Sequence, residues 1–318
     1  MSPKAKRILK KMISYSGLVF FFIAVFMLYH QLSKYNLSDI KQALLGIPSK
    51  NLLLSILASF LGYVALSSYD YLALKYINRK LAAWKWILVG FIGFTVSNNA
   101  GHAVVSGGAV RYRFYTRWRF KGFEIVKMVM FSGMTYLMAC CFLIVIGYVL
   151  TPEQAFGGQT GSKLTTNLVA LFSLIGLIVY FGLCTWYKKP IRFKNLSFKI
   201  PSVKMATAQV ILGGADILMA SLVLYFVLIP FADIPFNVFM GVFIIAQVLG
   251  VFSQVPGGLG VFEGLFLLIL PSQANTAHLF GALIAYRIIY YLLPLAVSGL
   301  VLAGYEGYRR YRYYKNNR

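Results

Sequence analysis

Acidic residues are scarce in this chain: Asp39, Asp70, Glu124, Glu153, Asp216, Asp233, Glu263 and Glu306 are all of them in 318 residues. Histidine and cysteine are rarer still, at three each. His30, His102 and His278 fall in separate elements, so no metal-ligand spacing forms. Cys140, Cys141 and Cys184 are odd in number and lie in apolar runs, which fits packing and excludes a disulfide framework or a zinc site. There is no GxxxxGK[ST] nucleotide loop, no HExxH and no GxSxG. No cofactor is implied. No polar stretch is long enough for a soluble catalytic domain.

What is present is apolar. Hydrophobic residues make up 59% of the chain, charged residues 12%, and mean hydropathy is +0.72. Several apolar runs exceed the ~18 residues that span a bilayer. They lie at 14–32, 51–73, 86–105, 125–150, 165–187, 205–230, 236–255, 259–270 and 277–303. The first follows Lys4, Lys6, Arg7, Lys10 and Lys11 and resembles a signal peptide. Tyr29, His30, Gln31 and Leu32 offer no small-residue cleavage site, so it reads as a retained anchor.

The 31 Lys and Arg residues orient these runs. If run 86–105 crossed fully, Arg111, Arg113, Arg117, Arg119 and Lys121 would lie outside, against the positive-inside rule. If it dips in and returns, they stay inside. The sequence supports a break: Ser97-Asn98-Asn99-Ala100-Gly101-His102, then Ser106-Gly107-Gly108. Such backbone is tolerated at membrane depth only where protein or a wet cavity surrounds it. A second hairpin is expected over 236–270, around Pro256-Gly257-Gly258-Leu259-Gly260; two full crossings there would satisfy parity equally. Both termini then face the cytoplasm, with 26 basic residues inside and 4 outside. The net charge of +23 thus points to loops touching anionic headgroups and away from nucleic acid. The Tyr- and Arg-rich tail from Tyr305 to Tyr314 reads as an interfacial anchor.

The expected fold is an all-α polytopic integral membrane protein with six full spans and two broken hairpins, or eight spans if the second hairpin crosses. The order span, span, hairpin, span occurs twice. Three crossings per unit reverse the second unit, giving an inverted repeat of residues 1–151, with its hairpin around 86–110, and 152–318, with its hairpin around 236–270. Inverted repeats with interrupted helices are a transporter signature, with the site near the repeat interface.

Arg287 sits within run 277–303, where a charge costs at least a few kcal/mol. At helical spacing it shares a face with Tyr290, Tyr291 and Pro294. Two readings stand: a headgroup contact in a transport path, or an ion pair that locks helices. Glu263 follows the proline–glycine break and is the expected partner of Arg287, with Asp216 as the rival. Asp216 shares a face with Gln209 and Gly213. Asp70 lies late in its run, where it is either functional or merely solvated near the interface. Asn98, Asn99 and His102 either line a wet cavity or cap half-helices. Arg111 and Arg113 follow a glycine turn, and their forks match phosphate geometry; plain interfacial anchoring is the alternative, and the expected role of Arg117, Arg119 and Lys121.

Three motifs carry a resemblance: SGGAVRYRFY (106–115), QVPGGLGVFEGLF (254–266) and AYRIIYYLLP (285–294). The chain resembles the bacterial lysylphosphatidylglycerol synthase transmembrane family, the lipid-flippase region of the multiple peptide resistance factor and its stand-alone relatives. The resemblance implies that Asp70, Arg111, Glu263 and Arg287 match charged positions of family motifs. It also implies lipid handling, with Gly257 and Gly258 at a broken-helix site. The family's two-part members carry a further acyltransferase-like domain, which is not expected here, so a lysyltransferase activity does not carry over.

The leading expectation is therefore an inner-membrane translocator of an anionic phospholipid, with no covalent chemistry. An intramembrane enzyme is the second class: Tyr69-Asp70 and Gly213-Gly214-Ala215-Asp216 faintly resemble an aspartyl dyad. A non-transporting lipid-binding scaffold is the third. A homo-oligomer stays open.

Overall fold

The computed structural model describes residues 45–100, 103–150, 163–187, 189–193, 196–253, 255–270 and 276–316. The helices are α1 (Ser49–Tyr76), α2 (Ala83–Ala100), α3 (Ala103–Tyr115), α4 (Gly122–Leu150), α5 (Lys163–Trp186), α6 (Val203–Leu228), α7 (Phe236–Phe252), α8 (Val261–Ile269), α9 (Thr276–Tyr286) and α10 (Leu293–Asn316). A π-helical segment, Arg287–Leu292, joins α9 to α10. Among the described residues five helices are long and apolar enough to span a bilayer: Ser49–Tyr76, Gly122–Val149, Leu164–Trp186, Val203–Phe231 and His278–Arg309. The expected first span, 14–32, and the N-terminal tail lie outside the described residues. The protein is an all-α polytopic membrane protein. Among the described residues a small antiparallel ribbon, Ile191–Phe193 with Leu196–Phe198, departs from helix, between α5 and α6.

α1 and α6 form the central pair. One stripe of α1 is buried at helical spacing: Ser55, Ala58, Ser59, Gly62, Leu66, Tyr69, Asp70 and Ala73. Small residues dominate its first half. In a bilayer helices gain little from burying apolar surface against each other, so close backbone approach and hydrogen bonds must hold them. Asn51 donates to the Phe226 oxygen (2.9 Å) and Ser55 to the Val223 oxygen (2.8 Å). Tyr69 reaches Asp216 further along. The descending partner numbers make the pair antiparallel.

The two hairpins flank this pair. α2 and α3 fold back on each other so closely that a Cβ on Gly107 would lie 2.0 Å from Ser97 Oγ and 3.1 Å from the Gly93 oxygen. α8 has nine residues and is about 14 Å long, roughly half the hydrocarbon thickness. α7 and α8 pack on each other about the turn between them, in the order expected of a hairpin over 236–270. Its turn uses Gly257, Gly258 and Gly260 at φ 61°, 62° and 81°, a region that side chains with a Cβ rarely enter.

Candidate functional site

The π segment explains where Arg287 points. Pro294 has no N–H, so it cannot donate to the Tyr290 carbonyl four residues back. The Leu293 N–H bonds to the Ile288 oxygen, one residue beyond helical register. The carbonyls released are taken by side chains of the other half of the chain. Ser59 donates to the Ile289 oxygen (3.1 Å), Tyr63 to the Tyr290 oxygen (3.0 Å) and Asn99 to the Tyr291 oxygen (3.5 Å). A π-bulge adds a residue to the turn and re-aims the side chains around it.

Arg287, buried here, donates from Nε to Glu263 Oε1 and from Nη1 to the Gly257 carbonyl, both at 2.5 Å. Its guanidinium stacks on Tyr291 at 4.5 Å. Nη2 lies 2.5 Å from the same Glu263 oxygen without a hydrogen-bond partner. The second Glu263 oxygen accepts the Gly260 N–H (2.8 Å), capping α8. The last span is thereby tied to the turn of the second hairpin. Glu263, and not the rival Asp216, is the partner of Arg287.

Asp70 makes the second assembly. Of its two readings, solvation near the interface is set aside: it is fully buried. α1 runs on to Tyr76, three residues beyond the apolar run, which leaves Asp70 well inside the helix. Arg111 donates to Asp70 Oδ1 from Nε (2.9 Å) and Nη2 (2.7 Å), and Tyr115 to Oδ2 (2.7 Å). Arg111 also lies over Phe94. It is thus committed to a carboxylate, not free for a phosphate.

Arg113 and Arg117 both donate to Glu306 Oε1, at 2.9 and 2.8 Å. This joins the outer arm of the first hairpin to α10. Plain anchoring by Arg117 is therefore corrected. Sequence reading gave Glu306 no role because the residue stands in a basic, aromatic tail.

Asp216 differs from the other buried acids. It accepts a hydrogen bond from Tyr69 (3.0 Å) and joins no ion pair among the described residues. It lines a cavity of about 130 Å³ with Arg111, Tyr136, Asn98 and Gln247. A second cavity, of about 60 Å³, is lined by Asn98, Gln247, Gly257, Gly258 and Tyr291. Ser97, Asn98, Gln247 and Val251 border both. The two cavities share this wall between the hairpins; one reaches the Gly257–Gly258 turn and the other Asp216 and Arg111. Asn98 serves this wall; Asn99 instead bonds the Thr95 and Tyr291 oxygens. His102 lies outside the described residues. Gln247 was missed, although an amide within the apolar run FIIAQVLGVF signals it. Both cavities are smaller than the ~300 Å³ at which ligand pockets usually begin.

The comparisons agree with this architecture. The family model for the lysylphosphatidylglycerol synthase TM region matches residues 13–298. The uncharacterized protein slr0712 of Synechocystis is 30% identical over 91% of this chain and 90% of its own length. The inner membrane protein YbhN of Escherichia coli K12 is 25% identical, covering 92% of this chain and 91% of itself. The phosphatidylglycerol lysyltransferase of Staphylococcus xylosus is 30% identical over 91% of this chain, which corresponds to 33% of that enzyme.

Proposed function

The chain belongs to the lysylphosphatidylglycerol synthase TM-region family, and on that premise we propose that it translocates an anionic phospholipid across the bacterial inner membrane. Residues 1–151 and 152–318 act as inverted halves. Their hairpins part to admit a headgroup, while the acyl chains stay in lipid. One observation carries the reading. Two cavities share Asn98 and Gln247 in their walls, between the hairpins, and on the wall of the larger stands Asp216, an acid without an ion-pair partner among the described residues. Buried charge without a counter-charge is costly and is kept where function needs it.

In this reading Asp216, Asn98 and Gln247 meet the headgroup. Arg111 contributes its field from the cavity wall, held in place by Asp70. Arg287, Glu263, Gly257 and Gly258 form the moving joint of the second hairpin, and Arg113 anchors the first. Covalent chemistry is disfavoured. An aspartyl dyad needs two carboxylates on one substrate, but Asp70 is absent from the cavity wall and taken by Arg111 and Tyr115.

Lipid analysis of cells with and without the gene tests this. Unchanged lipid species with an altered leaflet distribution is expected. Loss of a modified lipid species, restored by the purified protein, would instead establish an enzyme.

A further inference from the structure

α4 has two working faces. Val129, Ser132, Gly133 and Tyr136 border the central cavity. Lys127, Met130, Phe131 and Met134, on the opposite face at the same helical spacing, line a separate cavity of about 290 Å³ between α4, α5 and α6. Met130, Met134 and Leu183 are 56%, 39% and 41% exposed, so the cavity opens sideways onto the bilayer.

Its walls suit hydrocarbon. The polar groups at its inner end are already satisfied by one another. Gln209 is fully buried; its Oε1 accepts from Tyr180 (2.5 Å), and its Nε2 donates to Thr135 Oγ1 (2.8 Å) and the Phe131 oxygen (3.3 Å). A headgroup would find no free donor or acceptor among them. The charges are two lysines, Lys127 and Lys199. Neither joins an ion pair among the described residues. Tyr76 donates to the Lys199 carbonyl (2.7 Å), which fixes the backbone at that rim, and the ribbon residues Ile191 and Phe198 close over it. An apolar slot with unpaired cations fits an amphiphile with an anionic head.

We propose that this cavity holds one acyl chain of an anionic phospholipid, with its phosphate at Lys127 and Lys199. The site is separate from the central path and does not depend on transport. A phospholipid is chosen over a free fatty acid because the slot opens directly onto a leaflet, where interfacial lysines attract anionic headgroups.

Native mass spectrometry of the purified full chain tests it, with dioleoyl phosphatidylglycerol, dioleoyl phosphatidylcholine or oleate added after delipidation. The wild type is expected to hold one phosphatidylglycerol more than it holds phosphatidylcholine. Lys127→Gln with Lys199→Gln, at a half-buried and an exposed side chain, is expected to weaken that lipid roughly tenfold. Met134→Trp, which fills the slot, is expected to remove it. Asp216→Asn, in the central cavity, is expected to retain it. Equal retention of phosphatidylcholine, preference for oleate, or full retention by the lysine double variant would overturn the proposal.

Discussion

Tyr63 of α1 donates its hydroxyl to the carbonyl oxygen of Tyr290 (3.0 Å), the acceptor that Pro294 leaves without its helical donor. A defect in the last span is thus repaired by the first half of the chain. The bond ties the π segment to α1, while Arg287 on the same segment reaches the second hairpin through Glu263 and Gly257.

Two variants test this coupling. Tyr63→Phe leaves a buried carbonyl unpaired and is expected to cost about 1–3 kcal/mol. Pro294→Ala restores an N–H that reaches Tyr290 in α-helical register. In that background Tyr63→Phe should cost much less. Thermal unfolding in detergent reads both. A Tyr63→Phe cost that is the same with and without Pro294 would show that the proline does not free the carbonyl.

Arg287 and Glu263 form a buried pair, so removing one charge strands the other. Arg287→Met or Glu263→Gln alone is expected to destabilise by about 3–5 kcal/mol, and the double variant by less than the worse single one. A double-mutant cycle on unfolding gives the coupling. Additive losses would place the two side chains in separate environments.

Gly107 and Gly108 are neighbours with opposite tolerances. A Cβ on Gly107 would lie 2.0 Å from Ser97 Oγ, whereas on Gly108 its nearest neighbour is Val129 Cγ2 at 3.8 Å. Gly107→Ala is expected to cost about 1–3 kcal/mol by overpacking, with part recovered by adding Ser97→Ala. Gly108→Ala should be close to neutral. Similar stability losses at both positions would contradict the hairpin packing.

The basic loop after the first hairpin is expected on the cytoplasmic side, together with both termini. Lys121→Cys in a cysteine-free background should react with an impermeant thiol reagent only after the cells are opened. Labelling of intact cells would reverse the topology.

The described spans, the charged residues within them and the glycine breaks at 107–108 and 257–260 were legible in the sequence. Bilayer thickness sets run length, and the positive-inside rule sets which runs return. What was not legible is who pairs with whom. Periodicity shows which face of a helix Arg111 or Asp216 occupies, but not which neighbour covers it. Hence a phosphate fork and an interfacial anchor were the two readings of Arg111, although Asp70 holds it, and solvation stayed open for Asp70 because its apolar run ends before its helix does. Glu306 was hidden by its basic surroundings. The π segment left one trace, Pro294, and a proline alone does not reveal whether the chain kinks or adds a residue to the turn.

The central claim is tested most directly by phosphatidylglycerol exchange between leaflets in proteoliposomes, comparing wild type with Asp216→Asn. The substitution keeps the shape of the side chain and an acceptor for Tyr69, and replaces the carboxyl group on the cavity wall with a neutral amide. Exchange well above that of protein-free vesicles is expected for the wild type. For the folded Asp216→Asn protein, a fall of tenfold or more, on the order of 1.4 kcal/mol in the barrier, is expected. Wild-type exchange no faster than in protein-free vesicles would contradict translocation, and an unimpaired Asp216→Asn would remove Asp216 from the path.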